Sequence, residues 1–129
     1  MSQPIRWEDF QPGAALGEGT QRFGDELSQA WRNIFGEDEG PAEAAGVAVA
    51  MMMRGYFGAV TPRPPGNVHA RQRFTLEAMP QPGEFIRTVV RCLSKELRRG
   101  RRYVELEVRG SGAGGRPVYS GILTLIWAA

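Results

Sequence analysis

The sequence predicts an α+β protein in which an antiparallel sheet wraps one long buried helix, and three observations carry that prediction. The stretch Ala42 to Val60 reads AEAAGVAVAMMMRGYFGAV, and its ten residues from Ala44 to Met53 carry no charge. That run is too short to cross a bilayer and suits a helix enclosed by protein. After Gly66 the hydrophobic period changes from helical to two, the mark of half-buried strands. The last run, Val118 to Trp127, is apolar on both faces, as expected for a central strand or one buried by another subunit. A helix apolar on nearly every side must be covered on more than one face, and the strand-rich second half is the available cover.

The 129 residues fit one domain, 1–129, with enough chain for a real core. Sixteen Lys and Arg oppose 14 Asp and Glu, for a formal charge of +2. So small an excess argues against a nucleic-acid partner. Cys92 is the only cysteine, which excludes an intrachain disulfide and a cysteine-based zinc cluster and makes a reducing, cytoplasmic setting the default. MSQPIRWEDF has neither a basic leader nor an apolar run, so neither export nor a membrane anchor is expected.

In chain order, Trp7, Phe10, Pro12-Gly13 and Gly17 form a turn-rich opening, and a short edge strand is expected at about Gly19 to Phe23. Asp25 to Phe35 places Leu27, Ala30, Trp31, Ile34 and Phe35 at amphipathic-helix spacing, with Gly36 to end it. The acidic loop Glu37-Asp38-Glu39-Gly40-Pro41 leads into the buried helix, and Pro41 suits its first turn. The helix body from Val47 to Phe57 is expected to be core. Thr61-Pro62-Arg63-Pro64-Pro65-Gly66 cannot continue it.

Strand periodicity then takes over. Val68, Ala70, Gln72, Phe74 and Leu76 are expected on one face, with His69, Arg71, Arg73, Thr75 and Glu77 on the other, before a turn at Pro80-Gln81-Pro82-Gly83. Ile86, Thr88, Val90 and Cys92 share a face opposite Arg87 and Arg91. A basic turn at Arg98-Arg99-Gly100-Arg101 leads to a strand with Val104, Leu106 and Val108 inside and Tyr103, Glu105, Glu107 and Arg109 outside. The loop 110–115 joins it to the last strand. The strands together read as a meander curling around the helix.

This layout, with P-x-N-V-H-A-x-Q-x-F at the second strand, P-G-E in the turn after it, R-G-R-R-Y-V-E-L-E at the next hairpin, T-L-I-W at the end and W-E-D-F-Q-P-G near the start, resembles the MaoC-like hot-dog dehydratases. The resemblance spans most of the chain and is closest from Gly66 to Trp127. It implies a hot-dog fold, two copies pairing into one larger sheet, and acyl-thioester substrates, such as acyl-CoA, bound at the seam. The implied reaction is hydration of a 2-enoyl thioester or its reverse, of the (R)-specific enoyl-CoA hydratase type in fatty acid metabolism. Coenzyme A enters as part of the substrate, and no metal or other cofactor is implied.

Hydratases of that family carry D-x-N-P-x-H before the central helix, because adding water across the double bond needs a carboxylate and an imidazole sharing one water. The matching segment is Asp38-Glu39-Gly40-Pro41-Ala42-Glu43, with Gly40 in place of Asn and Glu43 in place of His. Glu43 would serve as the base if burial and Asp38 raised its pKa. The plain alternative is that acidic residues ahead of a helix simply suit its macrodipole. Ala44-Ala45-Gly46 resembles the family's A-H-G, whose glycine N–H polarises the thioester carbonyl. Two residues separate Glu43 from Gly46, where the family places many. Close helix packing is the competing account of Gly46.

Catalysis is therefore assigned to Asp38, Glu43 and Gly46, and substrate binding to Asn67, His69, Met51, Arg98, Arg99 and Arg101. His69 is the sole histidine, and a hydrogen-bonded structural role competes. The basic turn suits coenzyme A phosphates, whereas Arg87 and Arg91 are expected to pair across strands with Glu105 and Glu107. Met51, Met52 and Met53 line either an acyl tunnel or ordinary core. Two alternatives to the hydratase stand beside it: an inactive hot-dog subunit that binds acyl-CoA or pairs with an active partner, and a hot-dog thioesterase.

Overall fold

The computed structural model describes residues 3–24, 29, 33, 41–81 and 83–129, with the backbone alone for 41–45. Its elements are β1 (Ala15–Arg22), α1 (Pro41–Ala59), β2 (Val68–Leu76), β3 (Phe85–Arg98), β4 (Arg101–Ser111) and β5 (Pro117–Trp127), all strands antiparallel in the order β1-β3-β4-β5-β2. Short 3-10 turns occupy Trp7–Asp9 and Ala113–Gly115. The helix expected over Asp25–Phe35 and the acidic loop after it lie outside the described residues, apart from helical Gln29 and Asn33.

The apolar run of α1 buries one stripe, Val47, Ala48, Met51, Met52 and Tyr56, against the sheet. Each fully buried side chain of this size contributes roughly 1.5–3 kcal/mol before entropy is counted. Cover on every side is not what forms: Ala50, Arg54, Phe57 and Gly58 are exposed. The charge of Arg54 marks that open side, so the core stripe is narrower than the span Val47 to Phe57 suggests. At the far end Arg63 stops the helix. Its Nη1 donates to the Phe57 and Val60 carbonyls at 2.7 and 2.8 Å, and its guanidinium stacks 4.6 Å from the Phe57 ring. A cation on the last carbonyls satisfies acceptors the helix cannot and complements its dipole.

The inner faces of β3 and β4 follow their alternation: Ile86, Thr88, Val90, Cys92, Val104, Leu106 and Val108 are all buried. β5 adds Tyr119, Leu123, Leu125 and Trp127, while its outer residues Ile122 and Ile126 are half-buried. β5 is an interior strand, paired with β4 on one side and β2 on the other, as its two apolar faces predict, with β4 at the middle of the sheet. The sheet is not a simple meander, because only β3, β4 and β5 follow one another. β2 pairs with β5 at one edge, so the segment holding Pro80 and Gly83 crosses the end of the sheet and does not close a hairpin. Turn residues announce a break but not the partner of the next strand. β1 is an edge strand as expected, and longer than the sequence suggested.

Candidate functional site

Two regions hold the residues singled out above, and they lie at opposite ends of α1. At the N-terminal end Gly46 is half-buried, just ahead of buried Val47 and Ala48. α1 begins at Pro41, so Gly46 is its sixth residue and its N–H is taken by the Ala42 carbonyl. The N–H groups without an intrahelical acceptor, which can hold a carbonyl oxygen or an anion, are those of the first turn, and Gly46 does not offer the free N–H that its match to A-H-G implies. Asp38 and the Glu43 side chain lie outside the described residues.

At the C-terminal end an open concavity of about 290 Å³ gathers Tyr56, Phe57, Arg63, Pro64, Gly66, Asn67, His69 and Leu125. Its key local feature is a β-bulge. His69 pairs with Leu125 and Arg71 with Thr124, leaving Ala70 as the extra residue. The bulge reverses the facing expected for the start of this strand. Val68, opposite Ile126, now faces outward and is 51% exposed, whereas His69 shares the helix face with Leu125. Ala70 is the bulged residue, while Gln72, opposite buried Leu123, keeps the expected face although exposed, as do half-buried Phe74 and Leu76 opposite Gly121 and Tyr119. Bulges re-aim side chains in this way at sheet edges and beside active sites.

Asn67 is anchored by its amide oxygen, which accepts the Ala128 N–H at 2.8 Å. That donor fixes the orientation of the amide and leaves Nδ2 buried without a partner, at a cost of about 1–3 kcal/mol. Burial pushes the Tyr56 hydroxyl above its ordinary pKa, and the charge of Arg63 pulls back. Arg63 and Tyr56 are members of this cluster that sequence reasoning did not assign. A basic residue shortly after a predicted helix end is the signal that finds Arg63.

Met51 is fully buried and belongs to the core, as does Met52. The turn bearing Arg98, Arg99 and Arg101 lies at the same end of the sheet as His69, since Tyr103 pairs with Ile126 and Ile126 with Val68. Arg98 is neutralised locally by Glu96 at 2.7 Å and stacks over Tyr103. Among the described residues Arg99 and Arg101 have no ion-pair partner. Arg87 pairs with Glu18 on β1, not with Glu105 or Glu107. Glu107 instead meets Arg109 at 3.1 Å, and Glu105 accepts from the hydroxyls of Ser94 and Thr124.

Tyr56 lies ten positions beyond Gly46, about 15 Å along a helix axis. Within one chain, Gly46 therefore does not meet His69 and Asn67.

Comparison with known structures sets the class of this architecture. A MaoC-like dehydratase from Rhodospirillum rubrum superposes with a TM-score of 0.77 at 15% identity, over 95% of this chain and 96% of its own. R-hydratase PhaJ1 from Pseudomonas aeruginosa gives 0.75 at 16% identity, over 96% and 86%. An (R)-hydratase from A. caviae involved in PHA biosynthesis gives 0.72 at 18% identity, over 94% and 99%. No family model matches the chain, and no curated protein matches it. At these identities the likeness is one of fold: the chain has the hot-dog fold of the MaoC-like dehydratases and (R)-hydratases.

Proposed function

We propose that the protein is a homodimeric, cytoplasmic acyl-thioester hydratase or dehydratase that adds water to a 2-enoyl thioester, such as an enoyl-CoA, or removes it. The observation that carries this reading is the fold, shared along nearly the whole chain with R-hydratases, together with a half-buried glycine near the start of its central helix. The N–H groups of the first turn of α1, one turn ahead of Gly46, take the developing negative charge on the thioester oxygen, and Gly46 leaves room for the substrate beside them. Asp38 and Glu43 handle the water and its protons. The sheet edge that would join two copies is β2, whose residues 68–73 are all exposed, beside exposed Phe57 of α1. Asn67 and His69 bind the acyl end, Arg98, Arg99 and Arg101 take the coenzyme A phosphates, and the chemistry calls for no further cofactor. Among the described residues no helix is long and apolar enough to cross a membrane.

Gly40 and Glu43, standing where hydratases carry Asn and His, favour a second reading: a subunit that binds acyl-CoA without turning it over, alone or beside an active partner. Loss of enoyl-CoA ultraviolet absorbance, followed alongside free thiol release, separates the readings. Hydration that falls in Asp38→Asn and Glu43→Gln supports the first. Binding without turnover supports the second, and thiol release indicates a thioesterase.

A further inference from the structure

We propose that the tip of the β3–β4 hairpin docks end-on against an anionic lipid surface, its arginines on the headgroups and Leu97 inserted between them. The contact is peripheral, and it goes beyond the hydratase reading without depending on it.

The charge of the chain is separated. From Lys95 to Arg102 the sequence reads KELRRGRR, which holds five of the 16 basic residues and one of the 14 acidic ones. This hairpin end is formally +4, while the remaining residues together are −2. A molecule so polarised is turned by a negative surface, which attracts this end and repels the rest. Little of the charge is spent within the protein. Glu96 answers Arg98 at 2.7 Å, and Lys95 is held over the Trp7 ring, 4.6 Å from its centroid. Arg99, Arg101 and Arg102 have no ion-pair partner among the described residues.

The geometry favours a plane as the occupant. Pairing of β1 with β3 ends at Arg91, and β5 ends at Trp127, opposite Arg102. The hairpin tip therefore projects beyond both flanking strands. Across the ribbon Arg98 pairs with Arg101 and Leu97 with Arg102. Successive pairs point to opposite faces, so Arg98 and Arg101 share the outer face with Tyr103, whereas Leu97 and Arg102 share the side of buried Val104. All four lie within about 7 Å of the turn along the strands. The tip is thus cationic all round its end. A partner packed on one face would meet half of these groups, and a plane approached end-on meets all of them.

Leu97 selects lipid among planes and polyanions. It is 62% exposed in a ring of guanidinium groups. That arrangement matches the boundary between headgroup phosphates and acyl chains. A soluble phosphate ester or a nucleic-acid backbone uses the charges and leaves Leu97 in water. The coenzyme A assignment above uses Arg98, Arg99 and Arg101, so Arg102 and Leu97 belong to the lipid contact alone.

Vesicle sedimentation tests this. The protein should pellet with vesicles of equal parts phosphatidylglycerol and phosphatidylcholine, stay in the supernatant with phosphatidylcholine alone, and be released as added salt shortens the Debye length. An arginine at such a surface is worth about fivefold in affinity, so Arg102→Gln should weaken binding about fivefold and Arg99→Gln/Arg101→Gln about 30-fold. Leu97→Ser should weaken it about tenfold. Leu97→Cys carrying a nitrobenzoxadiazole label, with buried Cys92 left unlabelled, should brighten and shift to the blue on the anionic vesicles only. Circular dichroism of each variant checks that the fold is kept. Pelleting with neither vesicle, or equally with both, overturns the proposal. So does binding that falls with the arginines while Leu97→Ser and the label register nothing, since charge alone then holds a soluble polyanion. No enoyl thioester enters these measurements, so their failure leaves the hydratase reading where it stands.

Discussion

Glu84 receives the Arg116 guanidinium on one carboxylate oxygen while backbone N–H groups of Gln81 and Ala113 donate to the same side chain at 2.9 and 3.0 Å. One carboxylate thus ties the segment crossing the sheet end to the β4–β5 loop. The Gln81 and Ala113 amides, then Arg116, hold its pKa down from 4.5 to about 2. A depressed carboxylate stabilises the fold above its unfolded pKa and loses that contribution as pH falls through the folded value. Glu84→Gln should therefore cost about 1–3 kcal/mol near neutral pH, and the gap to wild type should close between pH 4.5 and about 2. Urea unfolding across that range measures it. A gap unchanged at the acid end would mean shape, not charge, makes the contact.

The helix–sheet contact gives a second prediction. A Cβ on Gly55 would stand 2.5 Å from Thr88 Cγ2 and 3.0 Å from its Cβ. Thr88 cannot swing away freely, because its hydroxyl is hydrogen-bonded to that of buried Tyr119. Gly55→Ala gains about 1 kcal/mol of helix propensity and loses about 1–3 kcal/mol to overpacking. The net should be destabilising in wild type and markedly smaller in a Thr88→Ser background, which lacks Cγ2. Additive effects in that double-mutant cycle would refute the contact.

Where such contacts depend on one strand's own period, the sequence made them legible. Ile86, Thr88, Val90 and Cys92 face inward as alternation requires, and so do Val104, Leu106 and Val108. What local pattern does not encode is which strands become neighbours. The bulge at Ala70 exists only in the pairing of β2 with β5, so the facing of Val68 and His69 came out reversed from the sequence expectation. The partner of Arg87 is Glu18, far away in the chain, for the same reason. The helix start was legible at Pro41, which places Gly46 in the second turn, while the neighbours of His69, namely Tyr56 and Arg63, depend on tertiary packing.

The β3–β4 turn separates stability from function. Arg99 and Gly100 both have positive φ, 52° and 76°, as a type I′ hairpin turn requires. Arginine is a poor occupant of that region and asparagine a good one. Arg99→Asn should raise stability by a few tenths of a kcal/mol, up to about 1. If Arg99 touches a coenzyme A phosphate, the same change should raise KM for an acyl-CoA several-fold and leave kcat and the KM of a short pantetheine thioester unchanged. Equal effects on both substrates would remove Arg99 from the phosphate site.

Phe57 and Val68 are 48% and 51% exposed, and they flank the β2 edge from the helix side and the strand side. Substituting exposed positions typically changes protomer stability by no more than about 0.5 kcal/mol. Burying a glutamate without a partner at an interface costs several times that. The double variant Phe57→Glu/Val68→Glu should therefore keep its circular dichroism and lose its dimer, sedimenting as a monomer where wild type sediments as a dimer. If substrate binds where two copies meet, as proposed, the monomer should also lose hydration while still folding. A variant that stays dimeric would show that two copies join elsewhere, and a folded monomer with full activity would show that one chain carries the whole site.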